Sequence, residues 1–306
     1  MALAPPQSDQ ISLRAQGRVA RRQAFSRLSR YILLLATVAG IGVLAVLAVD
    51  TMVRGLPVLD WQFITSYPSR NAVDAGLRSS LLGTVWVMGT TIILAIPVAI
   101  GTAVFLEEFA PKGRFTSVVR LNIANLAGVP SIIYGILGLT VFVRGVELQG
   151  VTLFPALGTT ILAGSLTLAL MILPMTVIAS VEAIRQVPPS IRDGSLALGA
   201  TRLQTVRHHT LPGALPGIMT GTILAISRAA GETAALIMIG AFAFIAFDNK
   251  SVNEDFTTVA IQIYNWTTRP QEAFRANASA GIIVLMVMVI GLNLVAVLIR
   301  ERFRRK

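Results

Sequence analysis

Six runs of apolar residues divide the chain, at Tyr31–Val53, Leu81–Leu106, Leu121–Val143, Ala156–Val181, Ala214–Phe247 and Ala278–Ile299. A helix of about 20 apolar residues matches the thickness of a bilayer core. None of the runs alternates apolar and polar positions, as a barrel strand would. The pattern therefore predicts an all-α membrane protein with six transmembrane helices. The fifth run is too long for one crossing and is expected to project beyond it. The first run exceeds the roughly 7–15 apolar residues of a secretory signal and follows a long polar arm, so it reads as a retained anchor.

Composition agrees with this reading. Of 306 residues, 54% are hydrophobic and 13% charged, against about 25% charged in soluble domains. The net charge of +11 raises the question of nucleic acid, but the placement of the basic residues answers it. Eighteen of them fall in the N-terminal arm, the second and fourth connections and the tail, and seven in the remaining connections. By the positive-inside rule both termini are cytoplasmic. The basic excess marks topology and, secondarily, attraction to anionic headgroups; it calls for no nucleic acid. The expected layout is a basic arm over 1–30, a first transmembrane helix over 31–53, a five-helix core over 81–299 with a cytoplasmic loop at 182–212, and a basic tail over 300–306.

The chain has no cysteine, two histidines (His208 and His209) and three lysines. Disulfides and thiolate chemistry are excluded, and no lysine stands in a Walker A phosphate loop. If nucleotide drives this protein, another chain binds it. The two long connections expected outside, Arg54–Ser80 and Asp248–Asn277, carry Trp61 and Trp266 beside prolines. They read equally as interfacial anchors or as a docking surface for an external partner.

Between the fourth and fifth runs, Pro188-Pro189 stops one helix. Ser190 with Asp193 has the spacing of a capping box, and Gly199 suits the left-handed position after a helix. Thr201 with Gln204 forms a second capping box, for a helix expected to end before Pro212. Two short helices around a Gly-Ala turn are predicted. The segment resembles the cytoplasmic loop of ABC importer permeases, E-A-A-x-x-x-G followed by nine residues and I-x-L-P. Gly199, Leu211 and Pro212 match; Asp193 keeps the charge of the family glutamate, while Gly194, Ser195 and His209 depart. The resemblance implies that this loop, with Arg192, Asp193, Gly199, Leu211 and Pro212, docks into a cytoplasmic ATPase.

Arg228 and Glu232 interrupt the fifth run. An intramembrane charge costs about 3 kcal/mol or more and faces protein or a cavity. On one continuous helix both charges share the stripe of small residues formed by Gly213, Gly217, Gly221 and Ala225, at about 100° per residue. They read either as a self-neutralising ion pair or as a polar point on a substrate path, with Arg228 presenting a fork of donors to an oxyanion. Arg228-Ala229-Ala230-Gly231-Glu232-Thr233 resembles the R-x-x-G-E-T signature of phosphate importer permeases, in which Thr233 adds a hydroxyl. Ala235 replaces the proline usual in the PstA type. Gly128-Val129-Pro130-Ser131-Ile132-Ile133-Tyr134-Gly135 resembles the V-P-S-I-x-x-G segment of the same permeases. Its proline and glycines mark a break or a close helix approach, with Ser131 as a polar lining residue.

The resemblance covers Leu81 to the end. It implies the type I ABC importer permease fold in a bacterial inner membrane, and an ATP-driven phosphate import system. The implied partners are a sister permease of the PstC type, two ATPase subunits of the PstB type that bind ATP and magnesium, and an external phosphate-binding protein of the PstS type. This chain itself would hold no cofactor and catalyse no reaction. The alternatives are a permease for sulfate, molybdate or phosphonate, and an ion-coupled secondary carrier with Glu232 as its proton site.

Overall fold

The computed structural model describes residues 18–241 and 244–304. The first 17 residues of the basic arm, Phe242 and Ala243 of the fifth run, and Arg305 and Lys306 of the tail lie outside the described residues.

The chain divides into two units, residues 1–50 and 51–306. In the first, helix α1 (Arg18–Gly55) begins, with apolar side chains exposed along Tyr31–Val49. The second unit carries the other elements. They are α2 (Trp61–Thr65), α3 (Arg78–Val104), α4 (Arg114–Ala127), α5 (Ser131–Gly138), a hairpin of β1 (Val146–Leu148) and β2 (Val151–Phe154), α6 (Ile161–Arg185), α7 (Pro189–Ala197), α8 (Arg202–Thr205), α9 (Leu211–Ala230), α10 (Ala234–Met238), α11 (Val259–Thr268) and α12 (Ala273–Arg304).

Among the described residues five helices are long and apolar enough to cross a membrane, or six if α4 and α5 are counted as one bent span. α6 is central, with buried residues on every face; it packs on α3, α9, α4 and α5. Its approach to α9 uses the predicted small-residue stripe. A methyl group on Gly217 would lie 2.7 Å from the Ala183 Cβ, and Gly221 abuts Ala179. Such stripes let membrane helices close on each other's backbones. Pro97, Pro174 and Pro216 sit inside α3, α6 and α9; membrane helices tolerate such prolines where surrounding groups satisfy the freed carbonyls.

Several expectations need correction. The third apolar run is not one helix: α4 and the helix beginning at Ser131 meet at 102°, because Gly128 weakens the helix and Pro130 removes an amide donor. The Tyr134 hydroxyl donates to the Leu126 carbonyl (2.8 Å) across the bend. The fifth run ends its helix at Ala230 and continues as α10 and irregular chain rather than as one projecting rod. The fold is not purely helical, since Gln149 and Gly150, both at positive φ, turn the β1–β2 hairpin in the manner of a two-residue primed turn.

In the loop after α6, Ser190 is not a cap. Pro188 takes that place and Pro189 opens α7, the first-turn position to which proline is preorganised. The second capping box is present: Thr201 Oγ1 accepts from the Gln204 amide (3.3 Å), and Gln204 Oε1 accepts from the Thr201 amide (2.8 Å). Its helix does not end before Pro212. It passes through a π turn, Val206–Thr210, directly into α9. The wider turn absorbs the donor that Pro212 lacks.

Trp266, expected as an anchor or docking residue, is fully buried against Phe63, with ring centroids 5.6 Å apart. Trp61 is exposed.

Candidate functional site

Gly231 interrupts the helix that carries both mid-run charges. Arg228 lies in the last turn of α9, and Glu232 lies beyond its cap. Glycine is the weakest non-proline helix former, and Glu232 reinforces the break: its Oε1 accepts from the Ala235 amide (3.2 Å), satisfying an otherwise orphaned donor of α10. Thr233, half-buried, precedes α10 and its hydroxyl lies 3.4 Å from the Gly231 carbonyl.

The helix therefore ends between the two charges, and among the described residues they do not form an ion pair. Glu232, half-buried, lines a crevice of about 10 Å³ with Val87, Met88, Leu168 and Leu236. That is about the room one water needs. Arg228 stays on the α6 side of α9, continuing the line of Gly217 and Gly221, and its guanidinium is exposed. Its one hydrogen-bond partner among the described residues is the Met175 thioether, 2.9 Å away, a weak acceptor. Met175 stands ten positions before Arg185 in α6, about 15 Å along the axis from that end, which puts Arg228 at mid-helix depth.

Ser131, partly exposed, opens α5 after the Pro130 cap. The structure brings the two signature segments together through other residues. α5 packs on α10, and a methyl group on Gly135 would lie 2.7 Å from the Ala235 carbonyl oxygen. The close approach expected of this glycine is thus made to the segment after Glu232 and Thr233.

At the other end of α6, α7 and α8 form a compact corner. Gly199, at φ +87, closes α7 in a Schellman arrangement: the Ala200 amide donates to Ser195 (3.2 Å) and the Gly199 amide to Leu196 (3.0 Å). The Ser195 and Thr205 hydroxyls bond across the corner at 3.0 Å. Asp193 and Pro212 are exposed, and Leu211 is half-buried. Arg192 turns back toward the helices, donating to the Ile184 carbonyl (2.7 Å) and pairing with Glu108 (3.0 Å).

Sequence reasoning missed two features here. Ile191, Leu198 and Leu203 are exposed, Leu198 to 91%, giving the corner an apolar outer surface. Glu107 and Glu108 at the end of α3 gather arginines from three other elements. An acidic pair opposite so basic a set of connections was the available signal. Among the described residues no cluster of His, Asp or Glu is arranged to hold a metal ion.

The profile of a family described as binding-protein-dependent transport system inner membrane component matches residues 95–306. The probable ABC transporter permease protein YqgI of Bacillus subtilis is 32% identical over 79% of this chain and 84% of its own. The phosphate transport system permease protein PstA 1 of Mycobacterium tuberculosis is 32% identical over 74% of this chain and 70% of its own. A chain of a bacterial alginate ABC transporter, solved with a periplasmic protein carrying an alginate pentasaccharide, superimposes with a TM-score of 0.66 at 16% identity, over 92% of this chain and 96% of that one.

Proposed function

The chain belongs to the family of binding-protein-dependent transport system inner membrane components, and we propose on that premise that it is a permease subunit of an ATP-driven importer of inorganic phosphate. The PstA relative supports the cargo. The observation that carries the reading is Arg228: a cation at mid-helix depth, exposed, with no carboxylate partner among the described residues. An intramembrane charge held without compensation is costly. An oxyanion in a conduit would supply both the missing charge and acceptors for its parallel donors.

In this reading the span count is six, with α4 and α5 as one broken span and both termini cytoplasmic. A PstC-type sister permease completes the conduit against the exposed faces of α5 and α9. Ser131 and Thr233 offer hydroxyls along it, while Glu232 holds the turn that ends α9. A PstS-type protein delivers phosphate outside. Two PstB-type ATPase subunits, which bind ATP and magnesium, seat the apolar corner of Leu198 and Leu203 with Asp193, Gly199, Leu211 and Pro212. Their closure on nucleotide moves that corner, and the conduit changes the side to which it opens. This chain supplies binding and motion, without bond chemistry of its own.

The test is co-purification followed by uptake. The complex recovered from membranes with this chain should contain an ATPase and, in liposomes with the external binding protein, should accumulate labelled phosphate in preference to sulfate or molybdate. Arg228→Ala should lower that uptake about tenfold or more, the worth of one hydrogen-bonded charge contact, and Arg228→Lys should fall between. Full phosphate uptake by both variants would remove Arg228 from the path. Preference for another oxyanion would reassign the cargo, and uptake without any ATPase would favour a secondary carrier.

A further inference from the structure

α3 ends in a π turn, Phe105–Phe109, where the Ala110 amide donates to the Phe105 carbonyl. The turn presents two adjacent carboxylates, Glu107 and Glu108, whose side chains are only 15% and 14% exposed. They face different elements. Glu107 pairs with Arg120 of α4 and with Arg185 at the end of α6 (3.0 Å). Glu108 pairs with Arg192 of α7 (3.0 Å), a contact of opposite charges whose Nε and Oε1 are not aligned as a hydrogen bond. Arg192 also donates to the Ile184 carbonyl in the last turn of α6.

Little else fastens α7 to α3, while its tie to α6 is the short link 186–188, in which Val187 is buried in one cluster with Ile184 and Ala214. The one buried residue of α7 is Ser195, which bonds to Thr205 of α8 rather than to the long helices. Its apolar residues Ile191 and Leu196 point outward. A carboxylate largely withdrawn from water depends on its partner, and removing one side leaves an uncompensated charge. The contact therefore resists separation of α7 from the end of α3 in a way that loose apolar packing would not.

We propose that the Glu108–Arg192 ion pair is the strut through which a displacement of α7 reaches α3, beside the chain link that joins α7 to α6, with Glu107 holding α4 to the same turn. Glu108 is then a positioning residue: it touches neither cargo nor ATPase, and it sets how much of the motion at α7 arrives at the membrane helices. The proposal rests on the reading that a partner ATPase moves α7.

The experiment uses the whole complex in liposomes and reads phosphate carried per ATP hydrolysed. Glu108→Gln should retain the ATPase and hydrolyse ATP within about twofold of the parent, while the phosphate carried per ATP falls about tenfold. Glu108→Arg and Arg192→Glu should each be worse, and the reversed pair E108R/R192E should recover at least about a third of the parent ratio, as coupled residues do in a double-mutant cycle.

The strut is refuted by a Glu108→Gln complex that carries as much per ATP as the parent, or by a reversed pair no better than its single variants. It is also refuted if Glu108→Gln loses the ATPase and the reversed pair does not regain it, since the contact then serves assembly alone. The parent complex separates these outcomes from failure of the functional reading. Absence of any ATPase overturns both before a variant is made. Transport of a different oxyanion overturns only the cargo, and the ratio is then read with that anion.

Discussion

Gly217 of α9 faces Ala183 of α6 so closely that a methyl group on the glycine would lie 2.7 Å from the alanine Cβ, and one turn further on Gly221 meets Ala179 more tightly still. Both contacts lie on the largest interface that α9 makes. Gly221→Ala should therefore cost about 1–3 kcal/mol, the usual penalty for overpacking, seen as a lowered unfolding temperature of the purified protein. Adding Ala179→Gly should restore much of the loss. If Gly221→Ala unfolds at the parent temperature, the helices stand further apart than described.

Gly199 tests the corner. Its φ of +87 is a conformation that costs an L-residue roughly 1–2 kcal/mol. Gly199→Val should loosen the α7–α8 turn and reduce ATPase recovered on co-purification, whereas Gly199→Asn, which tolerates the left-handed region, should retain more. Equal recovery from the two would show that the turn geometry is not what the partner reads.

Glu232 is cast as the residue that ends one helix and begins another. Glu232→Gln keeps an oxygen for the Ala235 amide and should leave stability nearly unchanged. Glu232→Leu removes the acceptor and should cost about 1 kcal/mol, the worth of a helix cap, read by thermal unfolding. If the glutamine variant is the more damaging, the charge of Glu232 matters more than its cap.

A pH effect is expected at the other end of α3. Arg78 grips Asp248 with two hydrogen bonds, of 2.9 and 2.5 Å, and those bonds hold the Asp248 carboxyl below the usual aspartate range. A carboxylate whose pKa is lowered by folding stabilises the fold fully above its unfolded value, about 3.9. That stabilisation is lost as pH falls through the lower, folded value. Acid unfolding of the parent should show this loss below about pH 4, and Arg78→Gln should weaken the dependence in that window. The pair is exposed to solvent, so the effect should be small and reduced by salt.

Much of this architecture was legible because it rests on local rules. Apolar length located the long helices, small residues at four-residue spacing marked the face of α9 that packs closely, though not α6 as its partner, and Gly199 and the Thr201–Gln204 box located the corner. The failures came where two local rules compete or where a distant partner decides. At Ser190 a good cap lost to Pro189, whose fixed backbone claims the first helical position. At Pro212 a helix expected to stop continued, because a π turn accommodates the missing donor. At Gly231 the helical wheel assumes continuity across a residue that ends α9, so the wheel does not carry over from Arg228 to Glu232. Trp266 was read from its composition and is held by Phe63, a partner two hundred residues away that no periodicity reveals.

The passage from α8 through the π turn into α9 has a mechanical consequence. Arg202 to Ala230 is one unbroken column of 29 residues, about 43 Å long at helical rise. The π turn and Pro216 lie within it, and these are the places where long helices bend, so a shift at its foot, where Leu203 is exposed, is either carried to the far end or taken up at those two points. Arg228 lies two residues from that end, so the stiffness of those two points would decide how far a movement at the foot reaches the guanidinium.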